Sequence, residues 1–295
     1  MKRKLSRLYP FVIMMLVLLI PQHATAQTKL LWNTFLLPGY YNEDGLPKGI
    51  ADKILDYYIS QLPTYDHEIL EAPIVRIYST MVETTEGGYL GPGKTKLPPH
   101  QLDRILTSSV HLVMPPAGIV IRKKDAATFF QGGTAVSVRS LLTGSRPLVF
   151  CWISGATYHP AIRQAVEEYV AAHPKHPNVH FWSNIRKEIY DMLLQERIDY
   201  FPNHAVSFQY ECAKRQDCQE QLMFVPVTEA REDVLTYTFA AKTSVGREVV
   251  AKINAVHRSE EYKTLLKKLI LQYYPPDLVG SYVEKNMKIV GTEMR

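Results

Sequence analysis

The stretch "VFCWISGATYHPAIRQAV" (149–166) runs an apolar segment into small residues and then into a helical pattern. Val149 to Ile153 fit a strand, Ser154 to Thr157 a tight turn, and Pro160 the first turn of a helix, where its missing N–H costs nothing. Three chemistries use such a strand–turn–helix: a nucleophile elbow, a phosphate cradle and a cup that holds a ligand. Ser154 lacks the glycine two positions earlier that G-x-S-x-G requires, and Cys151 lies inside the strand rather than at the turn. The stretch contains neither a Walker sequence nor G-x-G-x-x-G. The cup remains: small residues let a backbone approach a ligand, and the free N–H groups at a helix start attract oxygen. Its candidate contacts are Ser154, Gly155, Thr157 and Tyr158.

Outward from this stretch the same alternation recurs. "TKLLWNTF" (28–35) reads as a strand, "LLPGYYNEDGLPKG" as turn chemistry and "GIADKILDYYISQL" as a helix with Ile50, Ile54, Leu55, Tyr58 and Leu62 on one face. "YDHEILEAP" and "VRIYSTMVE" repeat the strand–helix pair, and 89–99, rich in Gly, Pro and Lys, reads as a loop. "SSVHLVMPPAGIVIRKKD" (108–125) is extended and broken by prolines, as expected of a crossing strand. A second series follows: strand "RPLVFCWI", the helix from Pro160, strand "NVHFW", helix "NIRKEIYDMLLQER" and strand "IDYFPNH". "LMFVPV" and "DVLTYTFAAKT" add strands, and "GREVVAKINAVHRSEEYKTLLKKLILQYY" reads as a helical tail. Two α/β units joined by extended crossings predict two lobes with a cleft between them, ligands lying beyond the carboxyl ends of the strands.

The amino terminus reads as an export signal: four cations (Lys2, Arg3, Lys4, Arg7), the apolar run "FVIMMLVLLI", then Ala24-Thr25-Ala26 as a cleavage site. The expected mature chain begins at Gln27 in the periplasm and carries 30 Lys and Arg against 29 Asp and Glu. That near balance gives no basic field for nucleic acid. Cys212 and Cys218 bracket a short polar loop and in an oxidising compartment could close a small disulfide, while Cys151 reads as a buried thiol. No Cys/His spacing matches a zinc site, and no cofactor or metal is expected.

The chain resembles the extracellular solute-binding proteins of family 3, the polar amino-acid ABC transporter type, and especially an uncharacterised periplasmic subgroup. The likeness rests on the order of "PGYYNEDGLPKGIADKI", "EAPIVRIYSTM", "GIVIRKKD", "ISGATYHPAI", "LLQERIDYFPNHA" and "FAAKTSVGREVVAKINAV". It implies an α/β, type II periplasmic-binding-protein fold: signal peptide 1–26, first lobe 27–114, second lobe with a crossing strand 115–227, and return crossing with completion of the first lobe 228–295. It implies a monomer that captures a small polar solute, without catalysis, for an ABC permease; a membrane sensor as partner, or a lyase or dehydratase on the same fold, are the alternatives. Tyr40 and Tyr41 occupy the loop where the family sets an aromatic against the ligand, and Arg76 matches an arginine-bearing helix. His100 falls where the family's carboxylate-gripping arginine is expected and Thr107 at its serine. His204 replaces a common aspartate, with the Asn203 amide beside it. With both halves of the zwitterion clamp altered, the ligand need not be an ordinary α-amino acid.

Overall fold

A computed structural model describes residues 27–42, 47–94, 103–130, 135–146, 148–153, 159–175, 178–182 and 187–293. The export signal, His100, and Ser154, Gly155, Thr157 and Tyr158 lie outside the described residues.

The first α/β series forms as its periodicity demands. Strand β1 (Lys29–Thr34) is followed by helix α1 (Ile50–Gln61), β2 (Asp66–Glu71) and α2 (Ile74–Glu83). Helix α1 buries Ile50, Ile54, Leu55 and Tyr58, the face its spacing predicted. The region read as a loop from Tyr89 is in fact β3 (Gly88–Lys94), a central strand that pairs with β1. Its glycines are points of close approach rather than turns: a side chain at Gly93 would lie 2.5 Å from the Phe239 ring, and one at Gly91 would lie 2.8 Å from Ile77. The chain continues through β4 (Ile105–Thr107) and β5 (Leu112–Met114) and leaves the first sheet at Pro115-Pro116.

The second sheet begins with β6 (Ala117–Arg122), followed by α3 (Ala126–Phe130), α4 (Val138–Thr143), β7 (Phe150–Ile153), α5 (Pro160–Ala172), β8 (Val179–Trp182), α6 (Lys187–Leu194) and β9 (Tyr200–His204). Then come α7 (Ala205–Cys212), α8 (Gln216–Gln221) and β10 (Leu222–Pro226); the order across this sheet is β10-β6-β9-β7-β8. Cys212 and Cys218 are joined in a disulfide, and Cys151 is buried, which pushes its thiol up to about 12.

Strand β11 (Val234–Ala241) returns the chain to the first sheet, ordered β2-β1-β3-β11-β4 with β5 also on β11. The stretch read as a helical tail is helical and holds two helices, α9 (Ser244–His257) and α10 (Glu260–Tyr273), with α11 (Pro276–Ile289) following it. Ser259 breaks the first from the second by accepting a hydrogen bond from the Tyr262 N–H, and Pro276 opens the third. The protein is thus two α/β lobes, joined where the chain crosses at 115–116 and 227–233.

Candidate functional site

The site begins with a turn. Between β1 and α1 the 37–42 segment folds back, with Leu37 and Tyr41 exchanging backbone hydrogen bonds of 3.0 and 2.8 Å. Gly39 takes a left-handed φ of +81°, which a side chain would strain. Asn42 accepts from the Gly39 N–H, and Asp52 in the first turn of α1 accepts from the N–H groups of both Asn42 and Gly49. The opening N–H groups of α1 are spent on the same turn, Ile50 donating to Gly39 O and Ala51 and Asp52 to Tyr40 O. A side chain at Gly49 would sit 2.4 Å from Tyr40 O, so only glycine allows this approach. The start of α1 is therefore capped by its own chain and is no cradle for an anion.

This turn presses on the second lobe. Ser207 of α7 donates to Pro38 O at 2.7 Å, Gly39 lies against Val206 and Tyr210, and the Tyr40 ring meets His204 edge-on with centroids 6.3 Å apart. Tyr40 is 2% exposed and its hydroxyl has no hydrogen-bond partner among the described residues. Burial holds that hydroxyl protonated far above its ordinary range.

Behind the turn lie two adjoining hollows. The outer one, with about 510 Å³ of space including open solvent, is lined by Phe35, Leu37, Tyr40, Tyr41, Ile74 and Tyr78 among others. The inner one, with about 360 Å³ of space including open solvent, reaches Trp32, Asn33, Tyr58 and Thr238. Tyr41, Ala51, Pro92 and His111 border both. His111 is 6% exposed, its Nδ1 has no partner among the described residues, and burial lowers its pKa to about 3, so the ring is neutral. Beneath it His257 is fully satisfied: Nε2 lies 2.7 Å from Tyr58 Oη and Nδ1 lies 2.8 Å from Ser109 Oγ. Tyr262 Oη completes the layer by donating to His111 O.

The structure thus brings Tyr40 and Tyr41 together in the wall of one hollow, with His204 across the seam. Arg76 is exposed on α2, two residues from both Ile74 and Tyr78, hence on the other side of the helix from the hollow. Thr107 pairs with Phe239 in β4, and Asn203 spends its amide on Tyr190 Oη and the His204 N–H. Sequence reasoning passed over His111 and Tyr78. Each carries a modest signal, the first as a lone histidine in the apolar run "SSVHLVMPP" and the second one helical turn after Ile74.

No protein-family model and no curated protein matches the chain. Solved structures do. One described for glutathione import via GshT and the cystine ABC importer TcyBC of Streptococcus mutans superposes with a TM-score of 0.58 at 13% identity, covering 85% of this chain and 98% of that one. A putative L-cystine ABC transporter protein from Listeria monocytogenes gives 0.56 at 12% identity, over 85% and 97%. The GluR0 ligand-binding core from Nostoc punctiforme, in complex with L-glutamate, gives 0.53 at 13% identity, over 81% and 98%. At such identities the likeness is one of fold, and the chain has the two-lobed type II periplasmic-binding-protein fold.

Proposed function

We propose that this protein is an extracytoplasmic solute-binding protein that closes over a small polar, amino-acid-like solute and delivers it to an ABC importer. In this reading residues 1–26 direct export, the mature chain works as a monomer in the periplasm, and the protein captures its solute without transforming it. The observation that carries the proposal is the seam: an aromatic turn of one lobe borders a hollow and touches the helix start of the other, so a solute held beside that turn is coupled to closure of the two lobes. Contacts that exist only in the closed form shift the population toward it, which is how such a fold couples binding to recognition by a partner. Tyr40, Tyr41 and His204 stand nearest this position; Ser154, Gly155, Thr157, Tyr158 and His100 are proposed as further contacts, with Asn203 and Thr107 as supports, while Arg76, on the far side of α2, is left outside the set.

The test is a thermal-shift panel of amino acids, small peptides, polyamines, carboxylates and sugars, with closure followed by small-angle scattering. At least one solute should raise the melting temperature and shrink the radius of gyration. A panel in which nothing does either overturns the reading, and turnover of a bound solute replaces capture with catalysis.

A further inference from the structure

The solute-binding reading leaves the chemistry of the solute unstated, and the first lobe's hollow speaks to it. We infer that the part of the solute held by the first lobe is an uncharged, ring-bearing group that enters beneath Tyr41 and hydrogen-bonds to His111 Nδ1. This inference rests on the solute-binding reading and narrows it.

Three observations carry it. The walls are aromatic and aliphatic, and among the described residues no charged side chain lines either hollow. A carboxylate or ammonium placed there would lose its hydration with no countercharge to replace it, whereas a planar ring gains contact with Phe35, Tyr41 and Tyr78. Next, buried polar atoms in folded proteins are nearly always satisfied, and the layer below obeys that rule at His257, Tyr58 and Ser109. His111 Nδ1 and Tyr40 Oη break it, and both residues line the outer hollow. The second lobe has unpartnered hydroxyls of its own on Tyr200 and Tyr210, but neither lines these hollows. Finally, among the described residues the usual sources of positive charge point elsewhere: the start of α1 is capped by the 37–42 turn, Arg76 is on the far face of α2, and burial keeps His111 neutral. A neutral imidazole nitrogen offers one hydrogen bond and no charge, so it selects a neutral donor or acceptor.

The experiment uses the mature chain with two neutral ring probes, indole and benzamide, beside L-arginine and L-glutamate. Two substitutions accompany them: His111→Leu, which removes the nitrogen, and Ala51→Leu, which fills the space shared by both hollows while leaving every polar group in place. At least one neutral probe should bind saturably and raise the melting temperature by about 3 °C at ten times its Kd. Its Kd should rise tenfold or more in each variant; if His111→Leu does not fold, Ala51→Leu decides alone. Neutral probes that do not bind, or that bind both variants as they bind the parent, overturn the inference. If that happens while charged solutes or sugars still close the lobes, the solute-binding reading stands without it. If the whole solute panel is silent too, both fall.

Discussion

The two lobes bury polar groups in opposite ways. In the second, Arg122 is 6% exposed and charged, and every face of its guanidinium is used: it pairs with Asp125 and Asp199 and donates to Leu193 O at 2.8 Å and Ile198 O at 2.6 Å. Asp199 in turn accepts from the Val149 N–H, tying the start of β7 to β9. In the first lobe the buried polar layer is neutral, built from His111, His257, Tyr58, Tyr262 and Ser109, and it stops one bond short at His111 Nδ1. A saturated ionic clamp holds a scaffold still and has nothing to offer a ligand. A neutral layer with an open valence beside a hollow has lost some stability and kept a place to bind. The difference sets a saturated clamp in the second lobe against an open valence beside the hollow of the first.

The largest effect should come from breaking the clamp. Arg122→Met leaves Asp125 and Asp199 facing each other without a cation, and removing one partner of a buried ion pair costs about 3–5 kcal/mol. The carboxylates are a fifth to a quarter exposed, which places the expectation at the lower end of that range. Hydrogen exchange should show β9 and α6 losing protection while β1 and β11 keep theirs. Equal loss in both lobes would mean that they fold as one unit and that the contrast drawn above has no energetic content.

The neutral layer makes the second test, by pH. Burial lowers His111 from its ordinary 6.5 to about 3 and His257 to about 2, the latter also repelled by His111 and Arg258. An unfolded chain takes up protons on both rings as pH falls through 6.5, and the folded chain does not. Stability is therefore fully present above pH 6.5 and declines below it, until the folded rings protonate near 3 and 2. Between pH 6.5 and pH 5 the loss should be roughly 2 kcal/mol for each histidine. His257→Gln keeps hydrogen-bonding capacity toward Tyr58 and Ser109 and should flatten that slope in urea titrations. An unchanged slope would show that these rings are hydrated rather than sealed.

The same contrast explains what could be read from the sequence. Alternating strands and helices, and hence two lobes, follow from local periodicity, and α1 and α5 begin where their caps place them. The central strand β3 was hidden because Gly91, Pro92 and Gly93 look like turn chemistry, and only contact with Ile77 and Phe239 reveals them as a strand with room made beside it. The division of the tail between α9 and α10 turned on Ser259, a single residue inside a continuous helical pattern. At the candidate site, Tyr40 and Tyr41 were expected from the resemblance, which sets an aromatic in that β–α loop, and both line a hollow. His111 was not, since what gives it meaning is Tyr58, His257 and Tyr262, and the Tyr58–His257 contact alone spans 199 positions of sequence.

The smallest expected effect is at the seam, where the lobes meet. Ser207 Oγ donates to Pro38 O across it, a bond that belongs to neither core. Replacing Ser207 by alanine removes that bond and leaves both the Arg122 clamp and the histidine layer untouched. A net hydrogen bond contributes about 1 kcal/mol, so the closed form should become about fivefold less populated. The urea midpoint of either lobe should hardly move, because the open form keeps both cores intact. Paired spin labels on α2 and α6 read the distance between lobes directly, in the same samples used for denaturation. If closure is unchanged while stability falls, Ser207 serves its own lobe. If closure weakens alone, the 37–42 turn is the latch that carries recognition from the first lobe to the second.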